Sequence, residues 1–262
     1  MQSLSIVFLH IPKTAGQSVH HFLKSLVEPA AVAPARVNEQ LYLLSVPELR
    51  GYRLFSGHLD WSLLDCVQPP RFVFTILRDP VERILSFYFF LRSEAQKLSE
   101  EELNRPENQG KHAVLHLSCD EYFTGGKPHI RTFLDNHYDN FYMYFFAGRT
   151  YDARQRLLAR QAADKSFTTE RILQMAFDNL ALLDGVYTID RLDCLERDLR
   201  FATGFRGERP NLAVLHINRG ASDPAGRMKA LAALGATEAT FDRIRAMVAQ
   251  DEEIWKHYSA RQ

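Results

Sequence analysis

Short apolar runs alternate along this chain with longer stretches of helical spacing. Leu4 to Leu9 is the first such run, and it leads into a turn from His10 to Ser18. Beyond the turn, Val19, Phe22, Leu23 and Leu26 recur at the spacing of one helix face. Phe72 to Leu77 is continuous, apolar and rich in aromatic and β-branched residues, the pattern of a strand buried on both faces of a parallel sheet. Arg78-Asp79-Pro80 ends it; Asp79 is suited to N-cap a helix and Pro80 to take its first position. Ile84, Leu85, Tyr88 and Phe89 then repeat at helical spacing. Shorter strands are predicted at Tyr52 to Ser56, Gly185 to Ile189 and Leu212 to Ile217.

Further helices are predicted at Ala113 to Phe123, Ala153 to Asp164 and Thr169 to Leu183. Leu192 to Thr203 reads as a helix closed by Gly204, and Thr237 as the cap of a last helix running towards Tyr258. Leu59 to Cys66 reads as a turn and short helix, and the polar stretch from Leu98 to Lys111 as a surface excursion or lid. Phe141, Tyr142, Tyr144, Phe145 and Phe146 crowd one segment and read as core. Strands alternating with helices, without an internal repeat, predict one α/β domain over residues 1–262, with a central, mainly parallel sheet flanked by helices.

Composition changes this picture little. Apolar content of 46% and charged content of 24% are those of an ordinary globular chain. Lys and Arg together balance Asp and Glu, so no global charge points to nucleic acid, and an anion site must be a local concentration of basic groups. Three scattered cysteines argue against a disulfide framework or a zinc site and for a reducing compartment. No leader pattern or bilayer-length apolar run is visible, so the expected location is cytoplasmic, without a transmembrane segment.

The chemistry concentrates in the turns. A strand, a turn carrying Lys13, Thr14, Ala15, Gly16, Gln17 and Ser18, and then a helix is an arrangement that binds phosphate. Helix-start N–H groups and the helix dipole favour an anion there. Gly16 would let backbone approach the ligand, Lys13 adds charge, and Thr14 and Ser18 add hydroxyls. The order departs from the usual triphosphate loop, because the only glycine follows the lysine. A second strand–turn–helix unit carries Arg78, Arg83 and Ser86. If the two strands are neighbours, both turns lie at one sheet edge and would hold two phosphate groups of one nucleotide.

Ile11 to Ser18 resembles the 5′-phosphosulfate loop of the Golgi-type carbohydrate sulfotransferases, and Leu77 to Tyr88 resembles their 3′-phosphate motif. The nearest flavour is that of the heparan sulfate 2-O and 6-O sulfotransferases. His58 to Val67 is similar to the segment that carries the proposed base of the 6-O group, and Gly185 to Leu195 to a helix entry common in the family. The resemblance implies a P-loop-like three-layer fold. It implies transfer of a sulfuryl group from 3′-phosphoadenosine 5′-phosphosulfate (PAPS) to a hydroxyl on a glycan or glycoconjugate, with adenosine 3′,5′-bisphosphate (PAP) as product and no metal. By position, Lys13 to Ser18 would wrap the phosphosulfate, with Lys13 at the bridging oxygen. Arg78 and Ser86 would bind the 3′-phosphate, Arg219 would join them from a late loop, and His58 would be the general base. Asp60 is a fallback base or an orienting partner for His58.

Tyr142 and Tyr144 stand where family members carry polar residues near the acceptor, which points to a smaller or less acidic acceptor. Two alternatives stay open: a P-loop small-molecule kinase, and a non-catalytic nucleotide-binding protein.

Overall fold

The computed structural model describes residues 4–125, 128–205, 212 and 224–260. Four strands, β1 (Ser5–Leu9), β2 (Leu54–Gly57), β3 (Arg71–Leu77) and β4 (Gly185–Thr188), form one sheet in the order β2-β1-β3-β4. Every pairing is parallel. All five residues of β1 are buried, as a central parallel strand requires. The chain passes from β1 to one side and then back to the other, so the order reverses around β1, and ligands bind at such a reversal. The predicted neighbourhood of the first strand and the Phe72–Leu77 strand is therefore observed, with Leu9 opposite Thr75.

The described chain divides into two compact units. The first takes in the described residues of Met1–Arg78, Tyr142–Arg219 and Ile254–Gln262 and contains the sheet. The helix α1 (Gly16–Lys24) packs Val19, Phe22 and Leu23 against Ile6, Phe8, Phe74 and Ile76. The helix Leu192–Thr203 adds Leu195 and Leu199 to the same core. Gly204 ends that helix at φ 67°, a left-handed closure as the sequence predicts.

The second unit, Asp79–Phe141 and Gly220–Glu253, is helical in its described residues. Its core gathers Ile84, Tyr88, Tyr122, Phe123, Tyr138 and Met247. Asp79 caps the helix Pro80–Ala95 by accepting the Glu82 N–H at 2.9 Å, as predicted. Glu82 and Arg227 form a buried ion pair at 2.6 Å.

Several boundaries differ from the periodicity. The 98–111 stretch is not an unstructured excursion: it holds short helices at Glu100–Leu103 and Pro106–Asn108, and Leu103 is buried. Ser99 and Glu102 close a capping box there. The predicted helix from Ala113 to Phe123 is two, Gln109–His116 and Cys119–Thr124, the second opened by another capping box at Ser118 and Glu121. The last helix also divides, into Glu238–Ala246 and Ala249–Ser259, because Asn140 Oδ1 accepts the Gln250 and Asp251 N–H groups at the second start. Thr237 stands at the predicted cap position, but its hydroxyl donates to Asp120 Oδ2 at 2.8 Å. The aromatic segment is the helix Phe141–Gly148; Phe141, Tyr142, Phe145 and Phe146 are buried as read, together with Met143, whereas Tyr144 is only half-buried. All three cysteines are free. The predicted Leu212–Ile217 strand falls, beyond Leu212, outside the described residues. Among the described residues no helix is long and apolar enough to cross a membrane.

Candidate functional site

Three segments leave the carboxyl edge of the sheet within the first unit: the loop after β1, His58 after β2, and Arg78 after β3. The loop turns on two residues in the left-handed region, Lys13 at φ 74° and Ala15 at φ 64°. Such residues cost about 1 kcal/mol or more each and persist where their surroundings over-determine them. Here Thr14 is fully buried between them, and its hydroxyl donates to the Ile11 carbonyl at 2.8 Å. That hydroxyl hydrogen closes the loop on itself. The N-cap of α1 is Ala15, which has no side chain to cap with, and no acidic residue occupies the first turn. The positive end of the helix dipole is thus left to an anion, with Lys13 half-buried beside it in sequence.

Arg78 is buried, and its Nη1 donates to the Lys13 carbonyl at 3.3 Å, which ties the third segment to the first. Tyr142 fixes the Arg78 backbone twice: the Arg78 N–H donates to Tyr142 Oη at 3.1 Å, and that hydroxyl donates to the Arg78 carbonyl at 2.9 Å. Tyr142 is fully buried. Its hydroxyl is thus taken up by the Arg78 backbone. Ser86 is buried in the second turn of Pro80–Ala95 and belongs to the second unit. Arg219 lies outside the described residues.

His58 is part-exposed and makes its contacts through Nδ1, at 3.0 Å from the His10 carbonyl and 3.3 Å from Tyr151 Oη. A carbonyl oxygen only accepts, so Nδ1 carries the proton in that bond and the neutral ring keeps its lone pair on Nε2. Burial pulls the His58 pKa below the ordinary imidazole value; the His10 carbonyl opposes this and the Arg36 charge adds to it. The ring is neutral near pH 7 and able to accept a proton.

His10 is the residue that sequence reasoning left without a role. Its ring lies 4.4 Å from that of His58, nearly parallel, and 5.1 Å from Phe8. Both ring nitrogens are buried without a hydrogen-bond partner. Burial first, then the charges of His58, Arg36 and Lys13, hold its pKa well below the ordinary value. A Cβ on Gly16 would stand 1.9 Å from His10 Nε2. This ring by itself leaves no room for a side chain at position 16.

Asp60 is no base. It is 6% exposed, and both carboxylate oxygens are engaged: Oδ1 accepts the Tyr151 N–H at 2.8 Å and Oδ2 the Tyr42 hydroxyl at 2.7 Å. It orients His58 only at one remove, through Tyr151. Arg36 is a second residue the sequence did not single out. Its carbonyl accepts the His58 N–H at 2.8 Å, and its Nη1 is buried without a hydrogen-bond partner. Its charge acts on His10, His20 and His58. No ion pair of Arg36 occurs among the described residues, and burial lowers its pKa.

A triphosphate reading has no upstream glycine in the loop to rest on. A helix start without a cap, Lys13 and a buried Arg78 suit a multiply anionic nucleotide. The family model described as "Sulfotransferase family" matches residues 2–162. A protein-tyrosine sulfotransferase of Arabidopsis thaliana is 36% identical over 87 residues, covering 32% of this chain and 17% of that protein. The chain thus spans about a sixth of the length of that curated relative. Members of the family generally use PAPS as donor, which is the kind of nucleotide these groups suit. With more than half its length matched by the family model, and the loop, His58 and Arg78 all inside the match, the chain belongs to the sulfotransferase family.

Proposed function

We propose that this protein transfers a sulfuryl group from PAPS to an acceptor hydroxyl on a glycan or glycoconjugate. The single observation that supports it most is the Arg78–Lys13 contact beside a neutral His58, all at one sheet edge of a sulfotransferase-family chain. PAPS, when bound, supplies an activated sulfuryl group on a phosphate leaving group. Lys13 and the start of α1, through Gly16, Gln17 and Ser18, would hold its phosphosulfate, and Lys13 would offset the charge that grows on the leaving phosphate. Arg78 would hold the 3′-phosphate. His58 Nε2 would take the proton from the attacking hydroxyl, while Nδ1–H stays on the His10 carbonyl.

Arg36 supports an acceptor that carries an anionic group near the reacting hydroxyl: a buried guanidinium nitrogen without a partner favours a carboxylate or sulfate. The similarity to a protein-tyrosine sulfotransferase favours a second reading, in which the hydroxyl is that of tyrosine in an acidic peptide.

Thermal shift with PAP in the absence of magnesium, compared with ATP and magnesium, tests the donor. Stabilisation by PAP alone is expected; stabilisation by ATP–magnesium alone would overturn the reading. Labelled PAPS offered with desulfated heparan-type polysaccharide, a neutral polysaccharide and an acidic tyrosine peptide then separates the acceptors. Transfer to the anionic polysaccharide is expected, and transfer to the peptide alone would favour the tyrosyl reading.

A further inference from the structure

The His10 carbonyl has a second donor besides His58. Tyr151 Oη donates to it at 2.5 Å and lies 3.3 Å from His58 Nδ1, with the two rings edge to face at 6.1 Å. The hydroxyl hydrogen is spent on the carbonyl, so the oxygen turns lone pairs towards Nδ1. His58 Nδ1–H thus faces two acceptors. In the other tautomer, an unprotonated Nδ1 would face the His10 carbonyl at 3.0 Å with no hydrogen between them, a repulsive contact, and the Tyr151 hydroxyl could relieve Nδ1 only by giving up its own bond to that carbonyl.

Tyr151 is itself held from several sides. Its N–H donates to Asp60 Oδ1, while Tyr42 donates to Asp60 Oδ2 and the Asp60 N–H donates to Asn38 Oδ1 at 2.9 Å. The Arg149 carbonyl, two residues before it, accepts the Trp61 N–H at 3.0 Å. The Tyr151 ring packs 4.8 Å from that of Phe145. A buried carboxylate that spends both oxygens on one tyrosine backbone and a second tyrosine hydroxyl is a large investment for a surface loop. It is accounted for if the place of Tyr151 matters.

We propose that Tyr151 is a positioning residue for His58, holding the imidazole as the Nδ1–H tautomer so that Nε2 remains the proton-accepting nitrogen, with Asp60 as the support that holds Tyr151 in place. The proposal rests on the reading of His58 as the base. When Nε2 takes a proton, the ring becomes cationic and its Nδ1–H bonds strengthen, so the same two oxygens stabilise the charge that forms. The groups that oppose that charge are Arg36 and the burial of the site, and His10 stays neutral against the ring.

The test uses the full chain, 15N-labelled at histidine, with PAP present. Long-range 15N–1H NMR reads the His58 tautomer directly, without an acceptor. In the wild type the Nδ1–H form is expected. In Tyr151→Phe the ratio of Nδ1–H to Nε2–H should fall about 3- to 10-fold, the effect of one ordinary hydrogen bond. The rate of labelled PAPS turnover with desulfated heparan-type polysaccharide or the acidic tyrosine peptide should fall by a similar factor in kcat, with KM unchanged. A wild-type His58 found as Nε2–H overturns the proposal even if Tyr151→Phe fails to fold, and so does an unchanged tautomer ratio in a folded variant. His58→Ala separates the two claims: a variant that keeps wild-type turnover overturns the base reading, whatever Tyr151→Phe does to the tautomer.

Discussion

Gly16→Ala is the sharpest perturbation the loop offers. The added methyl carbon would lie 1.9 Å from His10 Nε2 and 2.0 Å from Cε1, where carbon contacts settle near 3.5–4.0 Å. The ring would have to retreat by about 1.5 Å or more by that comparison. It is buried against His58 and Phe8, so it has no open side to retreat to. Overpacking of this kind costs about 1–3 kcal/mol. Against it stands the helix preference of alanine over glycine, at most about 1 kcal/mol and less at a first helical position. The net loss should be about 1–2 kcal/mol, a fall in Tm of roughly 2–8 °C for a chain of this size. Urea denaturation and a thermal scan read it. The partner variant is His10→Ala, which vacates the space. Gly16→Ala added to His10→Ala should cost nothing or gain a little, giving a coupling of about 1 kcal/mol or more between two touching residues. Gly16→Ala as stable as the wild type, or additive with His10→Ala, would refute the account of this glycine as a steric partner of His10.

Four further outcomes are expected. Burial depresses the His58 pKa, so the neutral base persists below the ordinary imidazole range and kcat/KM should fall only as pH drops through a midpoint under 6.5; a midpoint above 6.5 would contradict this. The same sign governs stability: His10, His20 and His58 all bind a proton more weakly folded than unfolded. Stability should be full above about pH 6.5 and decline as pH falls towards the lowered values, about 4 for His20, at up to about 1.4 kcal/mol per pH unit per fully buried histidine; a flat Tm from pH 7 to 5 would refute it. Asp60→Ala removes two short bonds to a buried carboxylate and should cost about 3–5 kcal/mol in urea denaturation, with a loss under about 1 kcal/mol counting against its role. In the second unit, Arg227→Met strands the buried Glu82 and should cost about 3–5 kcal/mol, whereas replacing both partners by apolar residues should restore most of it.

What the sequence carried was local. β1 and β3 are continuous apolar runs, and Asp79-Pro80 and Gly204 stop or start helices through their own backbone preferences, so each was legible from a window of a few residues. The capping boxes Ser99–Glu102 and Ser118–Glu121 were equally local, and reading them would have placed the short helices that periodicity missed. The site was legible only where a motif packs its chemistry into one turn. Tyr151 reaches His10 across 141 residues, and Asp60 reaches Tyr151 across 91. No period or spacing encodes such a contact. Arg36 was missed for the same reason, since a lone arginine in an Ala/Pro-rich stretch looks like any solvated charge until its neighbours are known.

His10 explains why the proposed phosphate loop and the proposed base, His58, are not independent devices. Its ring fills the place of a Gly16 side chain, so it sets how α1 can begin. Its carbonyl accepts from His58 and from Tyr151, so it sets which nitrogen of the base is free to work. Its N–H donates to the Gly57 carbonyl at 3.2 Å, which locks the end of β1 to the end of β2. Through one peptide unit and one ring, His10 thereby ties the proposed anion loop to His58. The ring must stay neutral for this to hold, because a charged imidazole beside Lys13, Arg36 and His58 would meet only like charge, and its nitrogens have no acceptor to share a proton with. Burial secures that neutrality, and the glycine that permits the burial is the one the loop places directly after Ala15.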